Sequence, residues 1–265
     1  MPPPALLLHG FLGRGADWTP VAGRLAPRRV LAPDWLDDAL ADVPGPTSAP
    51  DDPGPDAEPA DVADPRPGSL AWASDRLAGR LDAAGIAQAD VAGYSMGGRL
   101  ALMFAVRHSE RVRRLVLVSA TPGLRTPEER AARRAHDAAL ARDLATDFPR
   151  FLVRWTRQPV FASLSDAQRD AIEADRLAHV DPARAARALV AMGTGAMPSL
   201  WEPLRRLRVE THAVAGALDP TYAALATSEA MTAAGVRATV LPGAGHALLT
   251  EAPDALADLL IYLFA

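Results

Sequence analysis

A serine between two glycines stands at residues 93–97, which read Gly-Tyr-Ser-Met-Gly. The spacing Gly-x-Ser-x-Gly is typical of a sharp turn from a strand into a helix, where small flanking residues leave room for the turn and the serine hydroxyl stands clear of the backbone. An ordinary tight turn that contains a serine can have the same spacing. The pattern therefore indicates Ser95 as a nucleophile or base only if the chain supplies groups that activate it.

A serine hydroxyl is activated by a histidine whose tautomer is fixed by an acid. His246, within LPGAGHALLTEAPDAL, follows the last strand-like run, and Asp219, within AVAGALDPTY, follows the run before it. Asp34, after an early strand-like run, is the rival acid. Because the order serine, aspartate, histidine is a known order of this triad, we predict Ser95, Asp219 and His246 as the catalytic residues. The histidines without such a position are His108, His136, His179 and His212.

Negative charge that develops on a substrate oxygen needs backbone N–H donors that are fixed in advance. The N–H of Met96, directly after the serine and at a helix start, is one candidate. The second is the N–H of Phe11 in His-Gly-Phe-Leu-Gly, because Gly10 and Gly13 permit a close approach of the backbone. We predict that Phe11 and Met96 form an oxyanion hole.

These residues follow short apolar runs that alternate with helix-like segments. Continuous apolar strands between helices predict a parallel α/β sheet that is covered on both faces. Ligands of such sheets bind beyond the carboxyl ends of the strands, where Ser95, Asp219 and His246 would lie together. The predicted strands are ALLLHG, RRVLAPD, DVAGYS, RLVLVSA, ETHAVAG and VRATVLPG, and the predicted helices are near 69–85, 96–108, 222–235 and 252–264.

Two segments interrupt the alternation. Residues 42–67 are rich in proline and acidic side chains and nearly free of large apolar ones, which predicts a mobile loop. Residues 122–200 look helical throughout and are too long for an ordinary connection, so we predict an inserted helical cap. The expected division is a core formed by residues 1–121 and 201–265, with the cap between its two parts.

The composition narrows the class of protein further. The 265 residues include no cysteine, which excludes disulfides, cysteine-ligated metals and a thiol nucleophile. The formal net charge is −4, and the 28 basic residues, all arginine, form no basic stripe, so we expect no nucleic-acid partner. No apolar run approaches the ~20 residues of a membrane helix, and the chain start has no basic region typical of a signal peptide. We therefore expect a cytoplasmic protein that does not contact a membrane.

The sequence resembles the α/β-hydrolase family over almost its whole length, and within that family the pyruvate-eliminating synthases of menaquinone biosynthesis. The resemblance rests on LLLHGFLGRGADW and GYSMGGRLAL, and on PGLRTPEERAARR and WTRQPVFASLSDAQRDAIEADR in the expected cap. It implies an α/β-hydrolase fold with a mainly parallel sheet, helices on both faces and an inserted helical cap. It also implies a lyase without cofactor or metal, in which the triad removes a proton from a small-molecule carboxylate and the oxyanion hole holds the enolate.

The resemblance also assigns substrate binding to particular side chains. Planar guanidinium groups suit the several carboxylates of such a substrate. Each position has an ordinary explanation as well: Arg99 and Arg176 could form exposed ion pairs, Arg133 has Glu128 and Glu129 as possible helix partners, and Trp155 could be a core aromatic. The assigned positions are Tyr94, Arg99, Arg133, Trp155 and Arg176.

Two considerations leave the substrate open at this stage. After the second strand, where many relatives have a turn like Asp-x-Pro-Gly-His-Gly, this chain reads APDWLDDALADVPGPTS, and the seven acidic residues of 42–67 would oppose an anionic substrate unless they point away from the site. The same triad also suits a hydrolase of esters or carbon–carbon bonds, with Ser95 as nucleophile, or a small-molecule receptor without activity. The sequence does not determine the oligomeric state.

Overall fold

The computed structural model describes residues 2–40, 62 and 66–265. Within these residues, six strands form one sheet in the order β2-β1-β3-β4-β5-β6, and every neighbouring pair is parallel. All the carboxyl ends of the strands therefore meet at one edge of the sheet. The strands are β1 (Ala5–Leu8), β2 (Val30–Leu31), β3 (Ala89–Tyr94), β4 (Val112–Val118), β5 (Glu210–Gly216) and β6 (Arg237–Leu241).

Three of the four predicted helices form as single helices, and the fourth, at 222–235, is divided in two. The division occurs because Ser228 caps a new helix by accepting a hydrogen bond from the N–H of Met231 at 3.3 Å. None of the helices described is both long and apolar enough to cross a membrane. The helices are α1 (Thr19–Arg24), α2 (Trp35–Leu40), α3 (Leu70–Ala83), α4 (Met96–Arg107), α5 (Pro127–Thr146), α6 (Phe148–Trp155), α7 (Asp166–His179), α8 (Pro182–Met192), α9 (Trp201–Arg206), α10 (Pro220–Ala226), α11 (Glu229–Ala233), α12 (Leu248–Glu251) and α13 (Pro253–Leu263).

Strand β1 illustrates how one apolar run serves two cores. Leu6 and Leu8 belong to a cluster that includes residues of α2, α3 and α4, whereas Ala5 and Leu7 belong to a cluster with residues of α1 and α13 on the other face. Successive side chains of a strand face opposite sides of the sheet. A strand covered on both faces therefore has no polar alternation, which is why its sequence reads Ala-Leu-Leu-Leu.

Four helices, α5 to α8, account for most of residues 122–200, a segment that lies between β4 and β5. Each begins at a side chain that accepts a hydrogen bond from the first turn, namely Thr126, Asp147, Ser165 and Asp181. Helices α5, α6 and α8 pack around a third apolar cluster, which also contains Leu12 from the turn after β1. The helical content agrees with the expectation, and the division into a core and a separate cap stays a prediction.

The predicted loop at 42–67 lies mostly outside the described residues, which include only Val62, Arg66 and Pro67 of that segment. Val62 packs against the core cluster that contains α3 and α4, and its carbonyl oxygen accepts a hydrogen bond from Arg107. This end of the segment therefore has an apolar anchor, which the composition of the segment did not suggest.

Candidate active site

Ser95, Asp219 and His246 meet at the carboxyl edge of the sheet. Ser95 follows β3 directly, Asp219 lies between β5 and α10, and His246 lies in the loop after β6. His246 Nε2 is 3.3 Å from Ser95 Oγ, and His246 Nδ1 is 2.7 Å from Asp219 Oδ2. In this arrangement the imidazole can take a proton from the serine while the carboxylate holds the ring.

Ser95 has a strained backbone, with φ +52° and ψ −112°, a conformation that residues other than glycine rarely adopt. Two glycines make the turn sterically possible. A Cβ atom on Gly97 would lie 2.3 Å from the carbonyl oxygens of Leu8 and His9. A Cβ atom on Gly93 would lie 2.2 Å from the Gly97 carbonyl oxygen. This close approach fixes the start of α4 against β1 and β3, with the serine at the junction.

The imidazole of His246 is enclosed and oriented. The residue is 4% exposed, and the ring centroids of Tyr222, Tyr94 and Phe161 lie 4.8, 5.5 and 5.6 Å from its own. Asp219 is 3% exposed, and its Oδ1 accepts a hydrogen bond from the N–H of Tyr222 at 3.1 Å. Because a carboxylate only accepts hydrogen bonds, Nδ1 carries the proton of the 2.7 Å contact, and Nε2 is left to accept the hydroxyl proton of the serine.

The two expected oxyanion donors flank the serine. Met96 is the first residue of α4, where the backbone N–H has no partner within the helix. Phe11 follows Gly10, and a Cβ atom on Gly10 would lie 3.4 Å from the Cβ of Ser95. The N–H of Gly13 closes this turn on the Gly10 carbonyl oxygen at 3.0 Å. The geometry is compatible with an oxyanion hole, and the role of both N–H groups stays a prediction.

A cavity of about 560 Å³ opens beside the triad, between the sheet edge and α7. Its lining is mostly apolar and includes Phe11, Tyr94, Trp155 and Phe161. Trp155 packs edge-on against Phe11, with 5.3 Å between the ring centroids. Burial raises the pKa of Tyr94, so its phenol is a neutral hydrogen-bonding group at physiological pH. Three of the positions assigned to substrate binding, Tyr94, Trp155 and Arg176, therefore line one cavity.

Arg99 is a buried cation one helical turn after Ser95. It is 8% exposed, and its Nη1 donates to the carbonyl oxygen of Met192 at 2.8 Å. Among the described residues it forms no ion pair with an acidic side chain, so the exposed ion pair that the sequence left open is excluded. Burial lowers the pKa of Arg99 to about 10 because the charged form loses its hydration. A buried charge that forms no ion pair is costly, although the more distant charge of Asp137 acts in the opposite direction and raises the pKa of Arg99.

Arg133 has a helix partner, but not the expected one. Its Nε donates to Asp137 Oδ1 at 2.8 Å, and its side chain is 39% exposed. Glu129 instead caps α5 by accepting a hydrogen bond from the N–H of Thr126 at 3.0 Å. Beyond the effect of burial, the charge of Arg133 lowers the pKa of Arg99 further, which places the two guanidinium groups near each other.

Arg176 is already neutralised in this structure. Its Nη1 and Nη2 donate to the two carboxylate oxygens of Asp17 at 2.8 and 2.6 Å, and Nη1 also donates to Asp175 at 2.6 Å. Arg176 and Asp17 both line the cavity beside the triad, whereas Arg99 and Arg133 do not. The three assigned arginines therefore do not form one cluster. Asp17 was not found from the sequence, because 159 positions separate it from Arg176.

The residues considered as alternatives to Asp219 and His246 form hydrogen bonds elsewhere. Asp34 accepts a hydrogen bond from the N–H of Gly15 at 2.6 Å. His108 pairs with Asp75 at 2.8 Å, and His212 with the Thr239 hydroxyl at 2.8 Å. Among the hydrogen bonds of the described residues, none joins these rivals to Ser95 or His246.

The nucleophile turn, the parallel sheet and the order of the triad define a class of enzyme, and comparison with known families agrees. The chain belongs to the alpha/beta hydrolase family, whose model matches residues 5–259. The expected fold class is confirmed. A thermophilic esterase from Thermogutta terrifontis, 23% identical over 97% of this chain and 87% of its own, shares the fold with a TM-score of 0.70.

More specific similarities lie within the family. A putative 2-succinyl-6-hydroxy-2,4-cyclohexadiene-1-carboxylate synthase of Bacillus subtilis is 32% identical over 250 residues, which are 93% of this chain and 84% of that protein. The synthase of the same name from Pectobacterium atrosepticum is 33% identical over 221 residues, 83% of this chain and 79% of its own. The structure of MenH from S. aureus superposes with a TM-score of 0.80 at 25% identity and covers 98% of this chain and 92% of its own.

Proposed function

We propose that this protein eliminates pyruvate from a succinyl-cyclohexene carboxylate and so forms 2-succinyl-6-hydroxy-2,4-cyclohexadiene-1-carboxylate in menaquinone biosynthesis. The synthases of B. subtilis and P. atrosepticum support the proposal, because their similarity extends over most of this chain, including the segment between β4 and β5. The enzyme would be a cytoplasmic lyase that acts on a small-molecule carboxylate without a cofactor.

In the proposed reaction Ser95 acts as a base and not as a nucleophile. His246 Nε2, 3.3 Å away, accepts the hydroxyl proton while Ser95 Oγ removes the proton from the carbon beside the succinyl carbonyl. Asp219 stabilises the imidazolium that results. The enolate oxygen accepts hydrogen bonds from the N–H groups of Phe11 and Met96. The electron pair of the enolate then expels the oxygen through which the pyruvate group leaves. This oxygen takes up the proton that His246 holds, the enol that results becomes pyruvate, and no acyl-enzyme forms.

The observation that carries the proposal is the buried charge of Arg99. A hydrolase of neutral esters gains nothing from a guanidinium that is 8% exposed, has no acidic partner among the described residues and lies one helical turn from Ser95. A carboxylate substrate would supply the missing counterion and form charge-assisted hydrogen bonds with it. Arg133, close to Arg99 and still 39% exposed, would add to the attraction.

The test compares an anionic substrate with a neutral one. We expect Arg99→Met and Arg133→Ala to lower kcat/KM for pyruvate release from the succinyl-cyclohexene carboxylate by about ten- to a hundredfold, because each would remove a charged hydrogen bond to the substrate. Any weak hydrolysis of p-nitrophenyl acetate should stay within a few fold of wild type. Both reactions need Ser95 and His246, so the ester controls for damage to the triad.

Equal losses on both substrates would mean that the arginines support the fold and do not bind substrate. A wild type that cleaves esters or diketones rapidly but releases no pyruvate would contradict the synthase and support a serine hydrolase with Ser95 as nucleophile.

A further inference from the structure

The loop that carries His246 is held by a side chain that the proposed reaction does not use. Glu251, the last residue of α12, accepts a hydrogen bond from the N–H of Gly245 on Oε2 at 2.7 Å and from the N–H of Ala247 on Oε1 at 2.9 Å. These amides belong to the two neighbours of His246 in the chain. Hydrogen bonds to a charged acceptor are stronger than those to a neutral one, so both flanking peptide groups are fixed relative to α12.

The backbone of His246 itself is held by two further hydrogen bonds. Its carbonyl oxygen accepts hydrogen bonds from the Ser119 hydroxyl at 3.2 Å and from the N–H of Leu248 at 2.9 Å. Ser119 directly follows β4, and α12 directly follows the His246 loop. The loop is therefore bonded to two separate elements, and within the described part of the chain only Glu251 binds it through both flanking amides.

The segment after α6 packs closely on the same loop. The Phe161 ring stands edge-on to the His246 ring, with 5.6 Å between centroids. A Cβ atom on Gly245 would lie 2.0 Å from the Ser163 hydroxyl oxygen, so there is no space for a side chain between the two segments. A change in the path of the loop would therefore disturb both the imidazole and the wall of the cavity.

We propose that Glu251 is a positioning residue of the active site: its carboxylate bridges the N–H groups of Gly245 and Ala247 and thereby keeps His246 Nε2 within reach of Ser95 Oγ. The distance between these two atoms, 3.3 Å, is already at the long end for a hydrogen bond. A small further displacement would break the contact. Any reaction of this triad requires the contact, so the role of Glu251 does not depend on the proposed pyruvate elimination.

Two substitutions remove the bridge in steps. Glu251→Gln keeps one oxygen as an acceptor but places an NH2 group against the second amide, and Glu251→Ala removes both acceptors. We expect kcat to fall about tenfold in the first variant and about a hundredfold in the second, with KM within about threefold of wild type, because a shift of roughly 1 Å in a catalytic group costs about this much. Asp254→Asn is the matched control, since it removes a nearby exposed carboxylate that pairs with Arg24 and does not bond to the loop.

Three measurements separate positioning from general stability. The rate at which a fluorophosphonate labels Ser95 reports on the activated serine without any assumption about the natural substrate. Proton NMR of the Nδ1–H shared by His246 and Asp219 reports on the ring, and thermal unfolding reports on the fold. Labelling should slow from wild type to Glu251→Gln to Glu251→Ala, with a shifted or broadened Nδ1–H resonance and wild-type behaviour of Asp254→Asn.

Two results would overturn the proposal. The first is labelling within twofold of wild type in both Glu251 variants. The second is a lower Tm with an unchanged labelling rate per folded molecule, which would make Glu251 a purely structural residue. A wild type that labels rapidly but releases no pyruvate would contradict the proposed function and would leave this test of Glu251 in force.

Discussion

Single residues decide how strongly the site attracts an anion, and the three arginines assigned to substrate binding differ in how far their charge is neutralised. Arg99 has no acidic partner among the described residues, Arg133 contacts one oxygen of Asp137, and Arg176 is bonded to two carboxylates. In the proposed function, an incoming carboxylate would gain most at Arg99 and would compete with Asp17 at Arg176.

Arg99→Met should cost activity without costing stability. The pKa of Arg99 is lowered to about 10, so the folded protein disfavours the charged form more than the unfolded chain does. This penalty is fully present at neutral pH, begins to fall as the pH passes about 10, and disappears only above the higher pKa of arginine in the unfolded chain. We expect the Tm of Arg99→Met to equal or exceed that of wild type.

Arg28→Met provides the contrast, because Arg28 Nη1 bonds the fully buried Asp90 at 2.6 Å and its loss leaves that carboxylate short of a partner. Its Tm should fall by several degrees. A larger fall for Arg99→Met than for Arg28→Met would mean that Arg99 is a structural residue.

Asp17→Asn should strengthen binding of the carboxylate substrate. Asparagine keeps the shape of the side chain but removes the charge that occupies the Arg176 guanidinium at 2.6 and 2.8 Å. We expect KM for the carboxylate to fall several-fold, with little change for p-nitrophenyl acetate. Asp166→Asn is the control, because Asp166 lies at the exposed start of α7, the helix that also carries Arg176. It should change neither the KM for the carboxylate nor the hydrolysis of p-nitrophenyl acetate. A higher KM in Asp17→Asn would show instead that Asp17 positions Arg176 for binding.

The turn between β3 and α4 requires glycine at residue 97 because a side chain there would clash with the backbone. A Cβ atom on Gly97 meets backbone oxygens of β1 and its next residue at 2.3 Å, and backbone atoms cannot move aside as a flexible side chain can. We expect Gly97→Ala to destabilise the protein by about 1–3 kcal/mol and to abolish most activity. The free energy of unfolding from urea titration measures the effect.

Gly79 supplies the control for that measurement. It lies within α3, and a Cβ atom at this position would have no neighbouring atom within 4 Å. Gly79→Ala should therefore raise the free energy of unfolding by about 0.5–1 kcal/mol, because alanine favours the helix. Equal effects of the two substitutions would mean that the turn at Ser95 tolerates a side chain.

Local sequence patterns predicted the helices and strands, but they did not predict contacts between residues that lie far apart in the chain. The Gly-x-Ser-x-Gly spacing and the apolar runs placed Ser95, Asp219 and His246 at strand ends, and the structure brings them into contact. The pairing of Arg176 with Asp17 could not be predicted, since it depends on how α7 lies over the turn after β1. The contact of Glu251 with Gly245 spans only six positions, and a glutamate five residues after the histidine is the sequence signal that could have indicated it.

The formal charge of the molecule is unevenly distributed along the chain. Residues 42–67 carry seven acidic side chains and one arginine, so that with a net charge of −4 for the protein the rest of the chain carries +2. The part of the chain that forms the sheet, the triad and the arginines is therefore mildly cationic, which favours the approach of a carboxylate.

In the proposed reaction, one Ser-His-Asp triad on this fold removes a proton and eliminates pyruvate. The most direct measurement is the release of pyruvate from the succinyl-cyclohexene carboxylate, coupled to lactate dehydrogenase, with the diene product followed in parallel. We expect one pyruvate per diene in the wild type and a loss of at least about a thousandfold in Ser95→Ala and His246→Ala, because either change disables proton removal. No pyruvate from the wild type, or near-normal release from a folded Ser95→Ala variant, would contradict the account.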